Sequence, residues 1–412
     1  VNRVVITGMG VISPLGQDVE SMWNRLINGE SGISRIDAFD TARFKSQIAG
    51  VIRDFDADTL LGRKEARRID RFCQFALAAA EQACKDAGLQ LEDIDLERFG
   101  VYVGSGVGGI QTLVDQHAIL NERGPERVSP FLVPTIISNM AAALISIKLG
   151  ALGPTMSPVT ACSIGNTAIG EAFRLIRSGE ADLMIAGGTE AALTELSLAS
   201  FGNATALSSR NHDPKGASRP FDAGRDGFVM AEGAGILLLE SEEHARKRNA
   251  RIYGEVIGYG ATSDAFHMVA THAEGLGAYR AMRLALQSAN ISPEQVDVIS
   301  AHATSTELGD RSETLAIKKL FGEHAYTIPV TANKSMLGHM LGASGGAEAI
   351  ALVKSLNEGI IPPTINQEQA DPACDLDYVP NVARKANLDI GISNSFGFGG
   401  HNAVIVLKRY QQ

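Results

Sequence analysis

An α/β architecture with largely buried strands is the fold class that this sequence predicts. Apolar, β-leaning runs alternate with segments of helix length throughout the chain. A faint internal duplication recurs at a separation of about 170 residues in the 412-residue chain. The composition, 45% hydrophobic and 20% charged with mean hydropathy near zero, is that of an ordinary globular protein large enough for two domains or one duplicated one.

Taken in order, strands are expected at Arg3–Thr7, Gly100–Gly104, Leu183–Ala186, Ile236–Glu240, Val296–Ser300, Ile328–Thr331 and Ala403–Lys408. Helices are expected at Lys64–Ala87, Gly165–Ser178, Gly277–Ala289, Asp310–Phe321 and Gly345–Asn357. No low-complexity stretch or Pro/Ser-rich linker divides them. The duplication pairs Val159-Thr160-Ala161-Cys162 with Val330-Thr331-Ala332-Asn333. It also pairs the stretch from Gly227 to Leu239 with that from Gly397 to Leu407, in the same order, as two similar halves would.

The first predicted helix carries Ile69, Phe72, Cys73, Ala76, Leu77, Ala80 and Cys84 at helical spacing, which makes Cys73 and Cys84 core residues. Along it Arg63, Arg67 and Arg71 recur at i, i+4 and i+8, with Lys64 and Arg68 alongside. From Arg63 to Arg71 there are five basic and two acidic residues, a local +3 on a chain of −10. A solvated helix face is the default reading of such a run. Cys374, in Asp371-Pro372-Ala373-Cys374-Asp375, reads as a loop residue without a role.

Several classes are excluded. Four cysteines without paired spacing suggest neither a disulfide framework nor a zinc site, and a reducing cytosol is the natural compartment. No apolar run is long enough to span a bilayer, and Val1 to Ile6 reads as a first strand rather than a signal peptide. The net negative charge argues against nucleic acid as a general partner. Gly8-Met9-Gly10 and Gly104-Ser105-Gly106-Val107-Gly108-Gly109 invite a dinucleotide reading. The first lacks the third glycine and the acidic residue, and the second fits tight turns better, so no nucleotide cofactor is expected.

The chemistry gathers on four strings. Cys162 lies between an apolar run and a small-residue helix start, where a helix dipole favours thiolate and a backbone N–H can meet an oxyanion. A single cysteine is more often an inert core residue; the rest of the chain supplies partners for this one. His302 follows a predicted strand, and His339, in Asn333-Lys334-Ser335-Met336-Leu337-Gly338-His339, follows another, at the strand ends where α/β folds collect ligands. The loop from Asn394 to Asn402 sets glycines around Phe396 and Phe398, which permits unusual backbone angles and can aim an N–H at a substrate oxygen.

Thr160-Ala161-Cys162, His302-Ala303-Thr304-Ser305-Thr306, Lys334-Ser335 with Gly338-His339, and Gly397-Phe398-Gly399-Gly400 resemble the β-ketoacyl-acyl carrier protein synthases. Arg219-Pro220-Phe221-Asp222 and Arg225-Asp226-Gly227-Phe228-Val229 extend the likeness over essentially the whole chain. It is closest to the elongating type II enzymes of bacterial fatty-acid synthesis. The resemblance implies the thiolase fold: five αβαβα layers built from two βαβαβαββ halves, here 1–250 with Cys162 and 251–412 with His302 and His339. It implies a homodimer that needs no cofactor or metal and takes acyl and malonyl groups from an acyl carrier protein.

The same resemblance assigns roles. Cys162 accepts the acyl group, and the N–H groups of Cys162 and Phe398 form the oxyanion hole. His302 and His339 hold the enolate left by malonyl decarboxylation, kept neutral by Lys334, whose charge partner is Glu348. Thr304 and Thr306 bind the pantetheine arm with Gly399 beside them. Phe398 gates an acyl tunnel walled by Val107 and Phe201, and Arg63, Lys64, Arg67, Arg68 and Arg71 dock the acidic carrier. Thiolases place a second cysteine where this chain has His401, initiating synthases use Cys-His-Asn, and silent chain-length factors lack the thiol. A ketosynthase of a polyketide or other specialised pathway is the rival within the family, and a non-condensing partner subunit the rival outside catalysis. Ala303 replaces the family's usual glycine, Ser300 an asparagine and Leu337 a threonine, and Val269 to His272 depart from its usual continuation. These changes put substrate identity in question.

Overall fold

In the computed structural model, which describes residues 1–411, the chain runs through one supersecondary pattern twice. The first pass is β1 (Val4–Ile12), α1 (Arg71–Asp86), β2 (Phe99–Gly104), α2 (Met140–Leu149), β3 (Thr155–Met156), α3 (Ile164–Ser178), β4 (Leu183–Glu190) and β5 (Gly233–Ser241). The second is β6 (Gly254–Ser263), α4 (Leu276–Ala289), β7 (Val298–Ser300), α5 (Glu307–Phe321), β8 (Val330–Thr331), α6 (Ser344–Glu358), β9 (Ile390–Gly397) and β10 (His401–Arg409). Further helices, among them Ile110–Arg123, and two small two-stranded sheets lie between them.

The strands pair in the order β8-β7-β9-β10-β6-β1-β5-β4-β2-β3. Within each half the two inner pairings are antiparallel and the outer two parallel, the parallel ones reached by crossovers through helices. The halves meet along Val4–Ile6 and Gly254–Val256. Helices α3 and α6 sit between the halves and touch strands of both, while α1 with α2 and α4 with α5 cover the outer faces. This is the five-layer thiolase arrangement that the resemblance implies.

Burial explains the layers. On α1, Phe72, Cys73, Phe75, Ala76, Leu77, Ala79, Ala80 and Ala83 are buried against β1 and β5. Each such Phe or Leu contributes roughly 1.5–3 kcal/mol. Central α6 is buried on almost every side, so its amphipathic signal is weak.

Two expectations change. The long helix Lys64–Ala87 is two: Arg63–Ala66, then α1, whose N-cap Asp70 accepts the Phe72 N–H (3.2 Å) and the Thr112 hydroxyl (2.6 Å). Cys374 lies in a loop, as expected, and is buried there. The first sequence echo joins non-equivalent places. Val330–Thr331 is β8 and answers β3, whereas the turn Ala161–Ser163 that opens α3 answers Leu341–Ala343 before α6. The second echo falls on β5 and β10, which are equivalent. No helix among the described residues is long and apolar enough to cross a membrane.

Candidate active site

Cys162 lies in the tight turn ahead of α3, just after Ala161, which holds φ +53°. The end of β9 passes so close that a Cβ on Gly397 would stand 2.9 Å from the Cys162 nitrogen. That approach brings the Phe398 N–H to the thiol beside the N–H of Cys162 itself. Two convergent backbone donors at one sulfur form an anion-stabilising pair for whatever oxygen replaces it there.

The thiol opens into a cavity of about 340 Å³, which His302, Thr304, Thr306, His339, Val107, Phe201 and Phe398 also line. The imidazoles of His302 and His339 lie edge to face with centroids 5.5 Å apart. Phe396 packs on His302 and Phe228 on His339. The Leu341 N–H donates to His339 Nδ1 (3.3 Å), so the ring proton of the neutral histidine sits on Nε2. Phe201 and Phe398 face one another at 6.3 Å, and Phe398 is 39% exposed.

Electrostatics separates the groups. Burial, the Lys334 ammonium and His339 together hold His302 well below the usual histidine range. Burial and Lys334 do the same for His339. Both rings are therefore neutral donors at neutral pH. Lys334 and Glu348, only 1% and 2% exposed, pair at 2.5 Å behind them. Burial also pushes the Cys162 thiol up to about 12, against the pull of Lys334 and the two N–H groups. The thiolate expected from the helix dipole is thus not the resting form, because desolvation in the cavity outweighs the dipole.

Four further placements complete the surroundings of the site. Glu313 accepts the N–H groups of His302 (2.7 Å) and Ala303 (2.9 Å), a clamp set by a residue ten positions away on α5. The Thr304 and Thr306 hydroxyls stand 3.0 Å apart on the cavity wall. Gly399 turns away from the cavity at φ +87°, and its N–H donates to the Met268 carbonyl (2.8 Å). Arg71 does not share the exposed face of Arg63, Lys64, Arg67 and Arg68: it bonds to Glu232 (3.0 Å) and to the Ile52 carbonyl and lies over the Phe75 ring. The break at Asp70 rotates it out of register.

Ala303 is buried at φ +33°, a conformation that disfavours a Cβ. Ala303→Gly should therefore fold with stability within about 1 kcal/mol of the parent, relieved strain offsetting added chain entropy. It should stay active and accept a wider range of acyl or extender groups. Specificity constants across acyl chains and for malonyl against methylmalonyl carrier protein test this; identical profiles would show Ala303 to be neutral.

Residues 1–245 match the family described as the beta-ketoacyl synthase N-terminal domain, and residues 253–368 that described as its C-terminal domain. The chain is 52% identical to the 3-oxoacyl-acyl-carrier-protein synthase 2 of Synechocystis sp., over 99% of this chain and 98% of the relative. It is 49% identical to the protein of that name from Staphylococcus aureus, over 99% of each. Among solved structures, the ishigamide ketosynthase/chain length factor superposes with TM-score 0.93 at 38% identity, covering 100% of both chains. A ketosynthase in complex with its type II PKS acyl-carrier protein gives 0.91 at 38% identity over 99% of this chain and 100% of the other.

Proposed function

Because the chain belongs to the β-ketoacyl synthase family, we propose that it elongates acyl chains on acyl carrier protein by decarboxylative Claisen condensation. The observation that carries the reading is one thiol, flanked by two backbone donors, sharing a cavity with two neutral histidines. Cys162 Sγ attacks the acyl thioester, the oxyanion rests on the Cys162 and Phe398 N–H groups, and pantetheine leaves with the thiol proton. Malonyl thioester then loses CO2, and its enolate oxygen takes hydrogen bonds from His302 and His339. The carbanion attacks acyl-Cys162. The new carbon–carbon bond expels the Cys162 thiolate, which regains a proton, and the β-ketoacyl thioester is two carbons longer.

Thr304 and Thr306 hold the pantetheine arm, Val107 and Phe201 wall the acyl chain, and Phe398 gates it. The halves are assigned to 1–250 and 251–412. Fatty-acid elongation is favoured over a polyketide pathway by the higher identity to the synthase 2 relatives than to the polyketide ketosynthase. A homodimer in the cytoplasm completes the reading. The exposed edge at β3, with Met156, Val159 and the apolar Phe131, Val133 and Ile137 also uncovered, supports a second copy there. Mass spectrometry of Cys162 after incubation with a ladder of acyl-carrier proteins is the test, and an unmodified Cys162 with every chain would refute it.

Arg63, Lys64, Arg67 and Arg68 dock the acidic carrier. Reversing these four to Glu should raise the KM for carrier-protein substrates about tenfold with little loss of stability, since screened surface charge acts on association. Wild-type KM should itself rise with salt. Unchanged KM in the reversed variant would place the docking face elsewhere.

A further inference from the structure

The roles given to Cys162 and His339 leave idle a carboxylate that touches the surroundings of both. Glu190 ends β4 with no exposed surface, at the wall of the same cavity. Its oxygens accept from the Ser105 hydroxyl (2.9 Å) and from the N–H groups of Gly106 (2.8 Å), Val107 (3.2 Å) and Gly342 (3.1 Å). The Ser105 oxygen in turn accepts the Gly108 N–H (3.1 Å), so the hydroxyl proton goes to Glu190. All four partners are donors, and the ionised carboxylate is the form that satisfies them. Burial, the larger influence, holds this carboxyl above the usual carboxylate range against the pull of the four donors, and it is the all-donor geometry that favours the ionised form.

The donors come from two places that the chain keeps far apart. Ser105 to Val107 is the loop after β2 and presents Val107 to the cavity. Gly342 belongs to the turn before α6 in the other half. One residue earlier, Leu341 lines the cavity at φ +49° and donates its N–H to His339 Nδ1. A non-glycine residue keeps such a conformation only where its surroundings hold it. A buried carboxylate beside an apolar cavity is likewise costly unless its bonds have a use. Its negative charge also raises the Cys162 thiol.

We propose that Glu190 is a positioning residue of the condensing reaction: it ties the cavity wall at Val107 to the Leu341–Gly342 turn, and through Leu341 fixes the His339 ring with its proton on Nε2. The proposal rests on the catalytic reading of Cys162 and His339. It assigns Glu190 no contact with substrate.

The test uses Glu190→Gln, Glu190→Asp and Ser105→Ala in the full-length enzyme. The readouts are malonyl-carrier-protein decarboxylation, acylation of Cys162 by chains of different length, and the pH midpoint of Cys162 alkylation by iodoacetamide. Glu190→Gln keeps size but turns an amide N–H₂ on N–H donors. It should lower the kcat of decarboxylation about tenfold with KM within about twofold, as a displaced catalytic ring does. It should also move the alkylation midpoint to lower pH. Glu190→Asp keeps the charge and shortens the reach, so the midpoint should return while kcat stays low. Ser105→Ala loosens only the Val107 side and should alter the chain-length profile with decarboxylation kcat within about twofold of wild type.

Equal scaling of acylation and decarboxylation in Glu190→Gln, or a kcat within about twofold of wild type, overturns the proposal. If Glu190→Gln does not fold, Glu190→Asp decides: lowered kcat with the wild-type midpoint supports it, unchanged kcat overturns it. Wild-type Cys162 that carrier-protein thioesters fail to acylate would remove the catalytic reading itself, whereas an acylated wild type with unmoved variants removes only the role of Glu190.

Discussion

Cys162→Ala is expected to lose condensing activity by about 10⁴-fold or more, because no other group in the cavity can hold the acyl chain as a thioester. The other three cysteines are remote in kind as well as place: Cys73 and Cys374 are buried, and Cys84 packs beside the α1 core. Decarboxylation of malonyl-carrier protein should survive, since it asks only for donors to an enolate oxygen, and the two histidines and Lys334 remain. The reverse variants divide the reaction the other way. His302→Ala or His339→Ala should lower decarboxylation by about 10²–10³-fold, the cost of one lost electrophilic donor, while Cys162 still accepts acyl groups. Carbon dioxide release and the mass of the protein are read separately in each variant. Full condensation by Cys162→Ala would sink the nucleophile assignment, and decarboxylation unchanged in both histidine variants would sink theirs.

Much of this division of labour was legible in the sequence because its residues sit in local strings. His302 directly follows β7, a strand legible as an apolar run ending in small polar residues, and Cys162, His339 and Phe398 stand in short strings of small residues and glycines. The strands β6 and β9 were not read, for a physical reason. On β6, a Cβ at Gly258 would lie 2.4 Å from the Ala285 carbonyl oxygen and one at Gly260 2.2 Å from that of Ala281, so α4 packs directly on bare backbone. The glycines that permit this contact remove the side chains by which a strand is recognised. On β9, buried Ser393, Asn394 and Ser395 make a polar run in the interior next to Glu313 and the histidines. Polar residues there serve the site rather than the pattern.

Burial was the other hidden quantity. Helix-dipole reasoning predicted a thiolate at Cys162, but only the enclosing cavity reveals that desolvation wins. Glu190 and Glu313 were invisible for the opposite reason. Each is a single carboxylate in an apolar or helical context, and its partners are backbone N–H groups from distant segments. Arg71 shows how one capping residue can undo a periodic argument. The i, i+4, i+8 spacing is real, but the first helix stops at Ala66 and Asp70 caps the start of another, so the three arginines do not share one helix.

The second large effect is expected at the buried pair Lys334–Glu348. Glu348→Gln leaves an ammonium in the interior without its carboxylate, and should cost about 3–5 kcal/mol in denaturant unfolding. Lys334→Met/Glu348→Leu removes both charges and should recover stability to within about 2 kcal/mol of wild type, as apolar replacement of buried ion pairs commonly does. Its chemistry should not recover. In the wild type, burial and Lys334 hold both histidines well below their ordinary value, so decarboxylation should keep its rate as pH falls through about 6.5. Without the ammonium only burial and the mutual effect of the rings remain. The histidines should then protonate at higher pH, and the acid limb of decarboxylation should move up towards about 6.5. Through the histidines stability moves the other way. One whose folded pKa is depressed stabilises the fold above its unfolded value and loses that contribution as pH falls from there towards the folded one. The Glu348 carboxyl, raised by burial, opposes that effect in the wild type. Decarboxylation rates and unfolding midpoints measured from pH 5 to 8 read both effects together. A double variant that is as stable as wild type and keeps the wild-type acid limb would show that Lys334 does not set the protonation of the histidines, and that the pair serves packing alone.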